Sequence, residues 1–540
     1  MSMNDILQNR LYNDFFEDYI AGKQETHHFL SEFTINGIRQ LADSLDPQTK
    51  WHQQVKAILG RQNKDLQSPL AKKYLEQLSN PASVILITGQ QLGLFASPLY
   101  TIYKLLTVIK LAERLNSEGS GRFFIPVFWL ETEDHDFQEI NHCGVFDRNF
   151  KETQILYQGE DRDKLSIRYY QFEDAIDNFL SQVRHSLIET EFSGPLFQNL
   201  QQWYKPGNNW TEAARSFLKS IFERYGLLFF EPGDAQIKTV SVDFFNRLLE
   251  ENEKITGQFE ETCGQLKKAG YPLQVNYLAG QTFIHIEDGE HNRQHLYREG
   301  EKYYFKDDET HYTRSDIAQR LKANAEAIST TVVSRPLLQS WLLPAAAYIA
   351  GPGEIAYWAQ LSDLFPLFDL TMPVVYPRIT ATLIEPRISR HLSKYNIAID
   401  TVSLKRQTFI DRYFKAKSGS GDGDPIGLLK KQLNEADLRL AAYLEQLDPT
   451  LVDAAKKTVE RMHHGLANLE NRVLRAIEEK NSVLSSHLEQ VHAAFYPDEK
   501  PQERFLSYVY FLNKFGPQMT DFLMENLKEA QAGHQLVYLT

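Results

Sequence analysis

The stretch Val84 to Lys104, VILITGQQLGLFASPLYTIYK, restricts the possible folds of this chain more than any other segment. A continuous apolar run of strand length, Val84 to Thr88, stops in a glycine-bearing turn. Leu99 to Leu115 then repeats apolar residues at three and four (Ile102, Leu105, Leu106, Ile109, Leu115), which is the period of a helix. An apolar run without alternation is buried on both faces, the condition of a strand inside a parallel sheet. Phe123 to Leu130 is a second such run, closing in a polar cluster. Strand, helix and strand make a βαβ unit with a right-handed crossover, so the fold class is α/β with a parallel sheet. Leu227 to Phe230, followed by Glu231-Pro-Gly-Asp234, reads as a third strand, and Val374 to Tyr376, before Pro377-Arg378, as a fourth.

At 540 residues the chain exceeds what one hydrophobic core organises, which predicts two or three structural units. The first 80 residues read as helices, with amphipathic stretches at Trp51 to Leu59 and Leu70 to Leu78. Alternating segments such as Phe283 to Ile286 and Tyr303 to Phe305 predict small β-rich insertions within 146–200 and 270–313, so the core is discontinuous in sequence. The expected divisions are a first part of the core over 1–145, an insertion region over 146–330 with a core strand near 227–231, and a last part of the core over 331–386. A helical coiled coil over 387–500 and a C-terminal helical segment over 501–540 complete the chain. Within the coiled coil, 387–415 reads as one helix and Ser418 to Pro425 as a flexible linker. Val459, Met462, Leu466, Leu469, Val473 and Ile477, continued by Leu484, Leu488 and Val491, form a seam with a stutter. That stripe suits either a hairpin within the chain or the seam of a homodimer.

A formal net charge of −13 argues against a nucleic-acid partner, which needs clustered Lys and Arg, and favours small-molecule chemistry. Two cysteines, Cys143 and Cys263, without a C-x-x-C pair, predict a reducing compartment. With no long apolar run and a polar N-terminus, a cytoplasmic protein with no membrane partner is expected.

Thr88-Gly-Gln-Gln-Leu-Gly93 sits outside the carboxyl end of a strand, where open α/β sheets bind ligands. Gly89 and Gly93 allow close backbone approach, Gln90 and Gln91 carry amide donors and acceptors, and a following helix start favours an anion. It is neither a dinucleotide fingerprint nor a P-loop, and a polar-capped tight turn is the lesser alternative. Glu131-Thr-Glu-Asp-His-Asp136 packs four carboxylates and an imidazole into six residues. Such a loop is solvated, binds a cation, or raises a proton affinity. His135, Asp136, His142 and Cys143 are types that zinc takes, but their spacing matches no standard site, so no metal site is assigned. Gly351 to Trp358 opens a helix after the apolar run Ala345 to Ala350; Gly353 permits close approach, Glu354 lies in the first turn, and Tyr357 and Trp358 offer a stacking wall. Arg335 and Arg378 are cations available to phosphate or carboxylate. Glu503-Arg504 and Phe511 to Gly516 read as helix packing or a secondary ligand site.

Taken together, ITGQQLGLFASPLYTIYK, PVFWLETEDHDFQEINH, YIAGPGEIAYWAQL with MPVVYPR, and PQERFLSYVYFLNKFGP resemble the cysteine-adding enzyme family of bacillithiol biosynthesis, in the same order and over most of the chain. The resemblance implies a nucleotidyltransferase-like Rossmann core with connecting-peptide insertions and a dimerising helical coiled coil. It also implies a ligase that joins the carboxyl of L-cysteine to the amine of glucosaminyl-malate. Carried onto this sequence, the pocket comprises Thr88, Gly89, Gln90, Gln91, Gly93, Glu133, Asp134, His135, Asp136, Asn141, Gly353, Glu354, Tyr357 and Arg378. ATP is the expected activating cosubstrate, with magnesium, while zinc is not expected because no four-ligand set is present. In this reading ATP lies along Thr88 to Gly93, and Glu133 or Asp136 holds magnesium or the cysteine ammonium. His135 assists proton removal, and Arg378 steadies phosphate or the malyl carboxylates. Gly93 to Pro98 stands where adenylating synthetases of this fold carry His-x-Gly-His. The same loops would suit a nucleotide- or sugar-dependent transferase, and the tail a coiled-coil scaffold on a vestigial nucleotide fold.

Overall fold

The computed structural model describes residues 6–7, 12–45, 53–119, 121–162, 164–306, 308, 310–418, 425–530 and 533–540. They fall into two compact units, 1–382 with 502–537, and 383–501 with 538–540.

At the centre of the first unit is a parallel sheet of five strands: β1 (Ser83–Gln90), β2 (Phe123–Leu130), β3 (Leu228–Phe230), β4 (Ala345–Ala350) and β5 (Val374–Pro377). Their order across the sheet is β5-β4-β1-β2-β3, every neighbouring pair parallel. All eight residues of β1 are buried, as a strand apolar on both faces requires, and each such Val, Ile or Leu contributes roughly 1.5–3 kcal/mol on burial. The helix Tyr100–Ser117 carries the chain from β1 to β2 and packs on both. From β1 the chain winds towards β2 and β3 on one side, and β4 and β5 fill the other. The boundary between β1 and β4 is therefore the topological switch point of the sheet.

The four strands expected from sequence all belong to this sheet, and β4 is a fifth. Its residues, AAAYIA, are apolar but mostly alanine, which has little strand preference, so local pattern did not single it out. The small side chains let the helices Ile35–Ser44 and Tyr100–Ser117 pack close against it. A second, antiparallel sheet orders Ile328–Thr330, Gln281–Glu287, Arg293–Glu299 and Lys302–Tyr304, as the alternation near 283 and 303 predicted. Residues 146–200 differ from expectation. Beyond the hairpin of His142–Phe146 with Glu152–Leu156 they are largely helical, in Ala175–Ser186 and Ser193–Trp203. The segment from 502 is not wholly helical either: after three short helices the chain ends in a strand, His534–Tyr538, paired with Ile6–Leu7.

The second unit is helical. Residues 387–415 form two helices rather than one, Pro386–Tyr395 and Arg406–Ser418, because Asn396 takes a left-handed conformation (φ 50°) that ends the first. The linker read at Ser418 to Pro425 falls largely on 419–424, outside the described residues. The helix Pro425–Leu447 folds back on Val452–Lys480, and Lys430 pairs with Glu470 at 2.6 Å. The apolar stripe from Val459 to Val491 runs over two helices, since Asn481 divides Val452–Lys480 from Ser482–Phe495. Among the described residues, no helix is long and apolar enough to cross a membrane.

Candidate active site at the switch point

A cavity of about 950 Å³ opens where β1 and β4 end. Its floor is the side chain of Lys104, one turn into the helix after β1 and only 1% exposed. The Nζ donates to Gly89 O and to Gln90 Oε1, each at 2.7 Å, and pairs with Glu354. Burial lowers the pKa of this ammonium, and Glu354 works against that shift. Glu354 is fixed in turn by the hydroxyl of Tyr348 and the N–H of Gly351, each donating at 2.8 Å. Three segments read separately in the sequence, the end of β1, the helix after it and the helix start after β4, thus meet at one buried charge.

The acidic loop after β2 is not a uniformly solvated cluster: Glu131 and Glu133 are buried, Asp134 is half-buried and Asp136 is exposed. Its carboxylates are parted by different partners. Glu131 is buried and pairs with Arg335 at 3.2 Å, while its Oε1 has no hydrogen-bond partner among the described residues; burial pushes its carboxyl up, against Arg335. Glu133 pairs with the buried Lys238. Asp134 accepts from the His135 backbone N–H at 2.7 Å and from Gln91 Nε2 at 3.1 Å. Burial opposes ionisation of Asp134, but Arg293 and these donors outweigh it and hold the carboxyl below its usual range. Asp136 caps the short helix Phe137–Ile140 by accepting from the N–H of Glu139 at 3.1 Å.

Glu139, three residues past that cap, turns into the cavity. Burial first, then the neighbouring Asp134 and Asp136 charges, push its carboxyl up to about 7. A carboxyl poised near neutrality in a cleft is the signature of an acid–base group. In the sequence it is hidden as the N3 residue of a D-x-x-E helix start, where a carboxylate is normal. The opposite wall comes from the antiparallel sheet, which brings His285, Arg293 and His295 to the cavity. Arg293 Nη1 lies 3.2 Å from His135 Nδ1.

Of the residues singled out in the sequence, Gly89, Gln90, Gln91, Glu133, Asp134, His135, Gly353, Glu354, Tyr357 and Arg378 line the cavity, together with Arg335 and Arg504. Thr88, Gly93, Asp136 and Asn141 are not among the lining residues. The hydroxyl of Thr88 is spent on Ile349 O at 2.9 Å, tying β1 to β4. Asn141 closes the short helix, its carbonyl accepting from Tyr157 N at 2.7 Å. Gly93 serves the turn: a Cβ there would overlap the Ser97 carbonyl oxygen. The turn does not lead straight into a helix, because Phe95 and Ala96 hold left-handed φ of 56° and 54° before the helix begins at Tyr100. Gly93→Ala is expected to lower stability by about 1–3 kcal/mol in urea unfolding, since backbone rather than a side-chain tip must give way.

Two further expectations change. Trp358 is no stacking wall: it is fully buried, 4.4 Å from Tyr348 and 5.8 Å from Phe365 between ring centroids. Arg378 lines the cavity, but its guanidinium is committed to Glu503, with Nη2 to Oε1 at 2.6 Å and Nη1 to Oε2 at 2.9 Å. Arg504 remains, an exposed cation on the rim with no ion pair among the described residues. Among the described residues no group of three or more His, Cys, Asp or Glu is arranged to hold a metal ion. Both cysteines are buried free thiols, and burial raises Cys143 to about 12.

Two family models match the chain. "Bacillithiol biosynthesis BshC, N-terminal Rossmann-like domain" covers residues 1–379, and "Bacillithiol biosynthesis BshC, C-terminal coiled-coil domain" covers 381–539. Similar proteins carrying the name "Putative cysteine ligase BshC" occur in Bacillus licheniformis, 29% identical over 98% of each chain, and in Salinibacter ruber, 31% identical over 86% of this chain and 85% of that one. Another, from Koribacter versatilis, is 27% identical over 94% of both chains.

Proposed function

The chain belongs to the BshC family of bacillithiol biosynthesis, and from that membership we propose that its switch-point cavity joins the carboxyl of L-cysteine to the amine of glucosaminyl-malate. The observation that carries the reading is Glu139. An amide-forming site must take a proton from the attacking amine at neutral pH, and a carboxyl raised to about 7 inside a cavity of about 950 Å³ is built for that step. Glu131 Oε1, a buried acceptor without a hydrogen-bond partner among the described residues, would receive the cysteine ammonium.

A carboxylate does not react with an amine until it is activated, and ATP is the proposed cosubstrate. Arg504 on the rim and the amides of Gln90 and Gln91 at the end of β1 are the groups that would hold its phosphates, and magnesium would enter carried on them. ATP bound there would supply the activation of the cysteine carboxyl. Everything else falls to the chain: Lys104 and Glu354 hold the two strand ends together, and Glu139 takes the amine proton.

The second unit is proposed to pair two chains. Leu438, Tyr443, Leu447, Met462, Leu469 and Val473 remain 40–74% exposed although Pro425–Leu447 and Val452–Lys480 already pack on each other. Sedimentation equilibrium is expected to give a dimer that Leu438→Glu with Met462→Glu converts to monomer.

Reconstitution with glucosaminyl-malate, L-cysteine and ATP tests the main reading. Bacillithiol should form with stoichiometric release of either AMP and pyrophosphate or ADP and phosphate. No product from folded protein with all three substrates would overturn it.

A further inference from the structure

The histidine wall of the cavity is organised by one arginine. Arg293 is buried, and each of its nitrogens is engaged: Nε donates to Ser329 Oγ at 3.1 Å, Nη1 to His135 Nδ1 at 3.2 Å, and Nη2 both to Thr330 O at 2.7 Å and to His285 Nδ1 at 3.1 Å. Asp134 Oδ1 stands 3.7 Å from Nη1 and balances the charge. A guanidinium carries only N–H groups and has no lone pair to offer, so the ring nitrogen facing it has to be an acceptor.

Each Nδ1 is therefore read as the acceptor; Asp134 Oδ1, 3.7 Å from His135 Nδ1, lies beyond hydrogen-bond reach and does not compete for a proton there. Among the described residues, Thr330 O at 3.3 Å is the feature that would invite a proton onto His285 Nδ1. A proton there would point at a cationic N–H only 3.1 Å away, and Thr330 O is already served by the same guanidinium. A neutral ring whose Nδ1 accepts carries its hydrogen on Nε2. His285 uses that hydrogen to donate to His295 Nδ1 at 3.2 Å. Burial, with Arg293 adding to it, holds His285 far below its ordinary range, so the ring stays neutral.

His135 is the member of this set that sequence alone would make a base. With Nδ1 occupied by Arg293, its Nε2 already holds a hydrogen and has no lone pair to receive another. Its side chain is 36% exposed, at the cavity.

We propose that Arg293 is a positioning residue that fixes His135 and His285 as Nε2–H tautomers, and that His135 acts as a neutral hydrogen-bond donor to the acyl oxygen that becomes negative during ligation. In that step the amine nitrogen forms a bond to the activated cysteinyl carbon, and the carbonyl electron pair moves onto oxygen, where His135 Nε2–H meets it. The pair then returns, the bond to the phosphate-bearing leaving group breaks with its electrons, and the amine proton passes to Glu139. A neutral imidazole is suited to this, since its hydrogen is presented without being given up. The acyl role rests on the proposed cysteine ligation, whereas the tautomers do not.

Two measurements separate these. In ligand-free protein with 15N-labelled histidine, ring spectra assigned through His135→Gln and His285→Gln should show Nε2 protonated and Nδ1 bare for both residues. An Nδ1–H signature at either overturns the tautomer assignment. In ligation assays, His135→Ala should lose about 10²–10³-fold in kcat with little change in KM. His135→Gln, whose amide reaches near the Nε2 position and donates but cannot act as a base, should recover most of that loss. If His135→Gln is as impaired as His135→Ala, the donor role is wrong. Arg293→Lys keeps the charge but cannot reach both rings; it should mix the tautomers of at least one and lower kcat. Unchanged spectra and kcat in folded Arg293→Lys would remove Arg293 from the proposal. Correct tautomers without ligation by the native protein would count against cysteine ligation and leave the tautomer assignment standing.

Discussion

Replacing Arg378 by methionine is expected to destabilise the protein by about 3–5 kcal/mol in urea or thermal unfolding. Glu503 is fully buried, and besides Arg378 it accepts, among the described residues, from Tyr12 OH at 2.9 Å and from Ala381 N at 3.3 Å. Without the guanidinium, a buried carboxylate would be left with neutral donors. Burial pushes the Glu503 carboxyl up, but Arg378 wins and holds it below its usual range. Its contribution is therefore complete above the unfolded pKa, near 4.5, and is lost as pH falls through the lower folded value. Arg378→Met should be less damaging in acid, where Glu503 can take a proton, than at pH 7. The double variant Arg378→Met with Glu503→Leu should recover most of the loss, because removing both charges leaves nothing unpaired. A loss below about 1 kcal/mol for the single variant at pH 7 would show that water reaches the pair.

Glu139→Gln is expected to lower kcat by about 10²–10⁴-fold while the protein keeps its fold, because glutamine matches the shape of the side chain but cannot take a proton. The sign of the pH dependence follows from the raised carboxyl. As a base Glu139 works ionised, so ligation by the native protein should rise with pH and level off above about 7. That acidic limb should vanish or move in the residual activity of Glu139→Gln. A native profile flat from pH 5.5 to 8, or a variant of full kcat, would assign the proton to another group.

Both effects depend on residues whose roles their neighbours in sequence do not reveal. Arg378 follows a strand and reads as a free cation for phosphate, yet its charge is taken up by Glu503, 125 positions away. Glu139 reads as an ordinary residue of a capped helix start, yet the fold turns it into a cleft beside two other carboxylates. His135 stood out at once because it lies in a dense acidic loop. Its proton, however, is placed by Arg293, 158 positions further on, from an insertion with its own small sheet.

Many of the local elements, and the family, are legible in the chain's own pattern. Strands buried on both faces leave unbroken apolar runs, helices repeat at three and four, and turns need glycine, so β1, β2 and the helix between them are legible without coordinates. Four motifs in fixed order over most of the chain likewise pointed to bacillithiol biosynthesis, the family to which the chain belongs. Which charges are available follows from how distant segments pack. Setting β4 beside β1 creates the switch point and buries Lys104 there; separately, the C-terminal segment commits Arg378 to Glu503, and the antiparallel sheet aims Arg293 at two histidines. A composition of acids and bases states how many charges a site has to work with. Whether each is neutralised, raised towards neutral pH or turned into a donor depends on burial and on partners far away in the chain, and local periodicity carries no record of either.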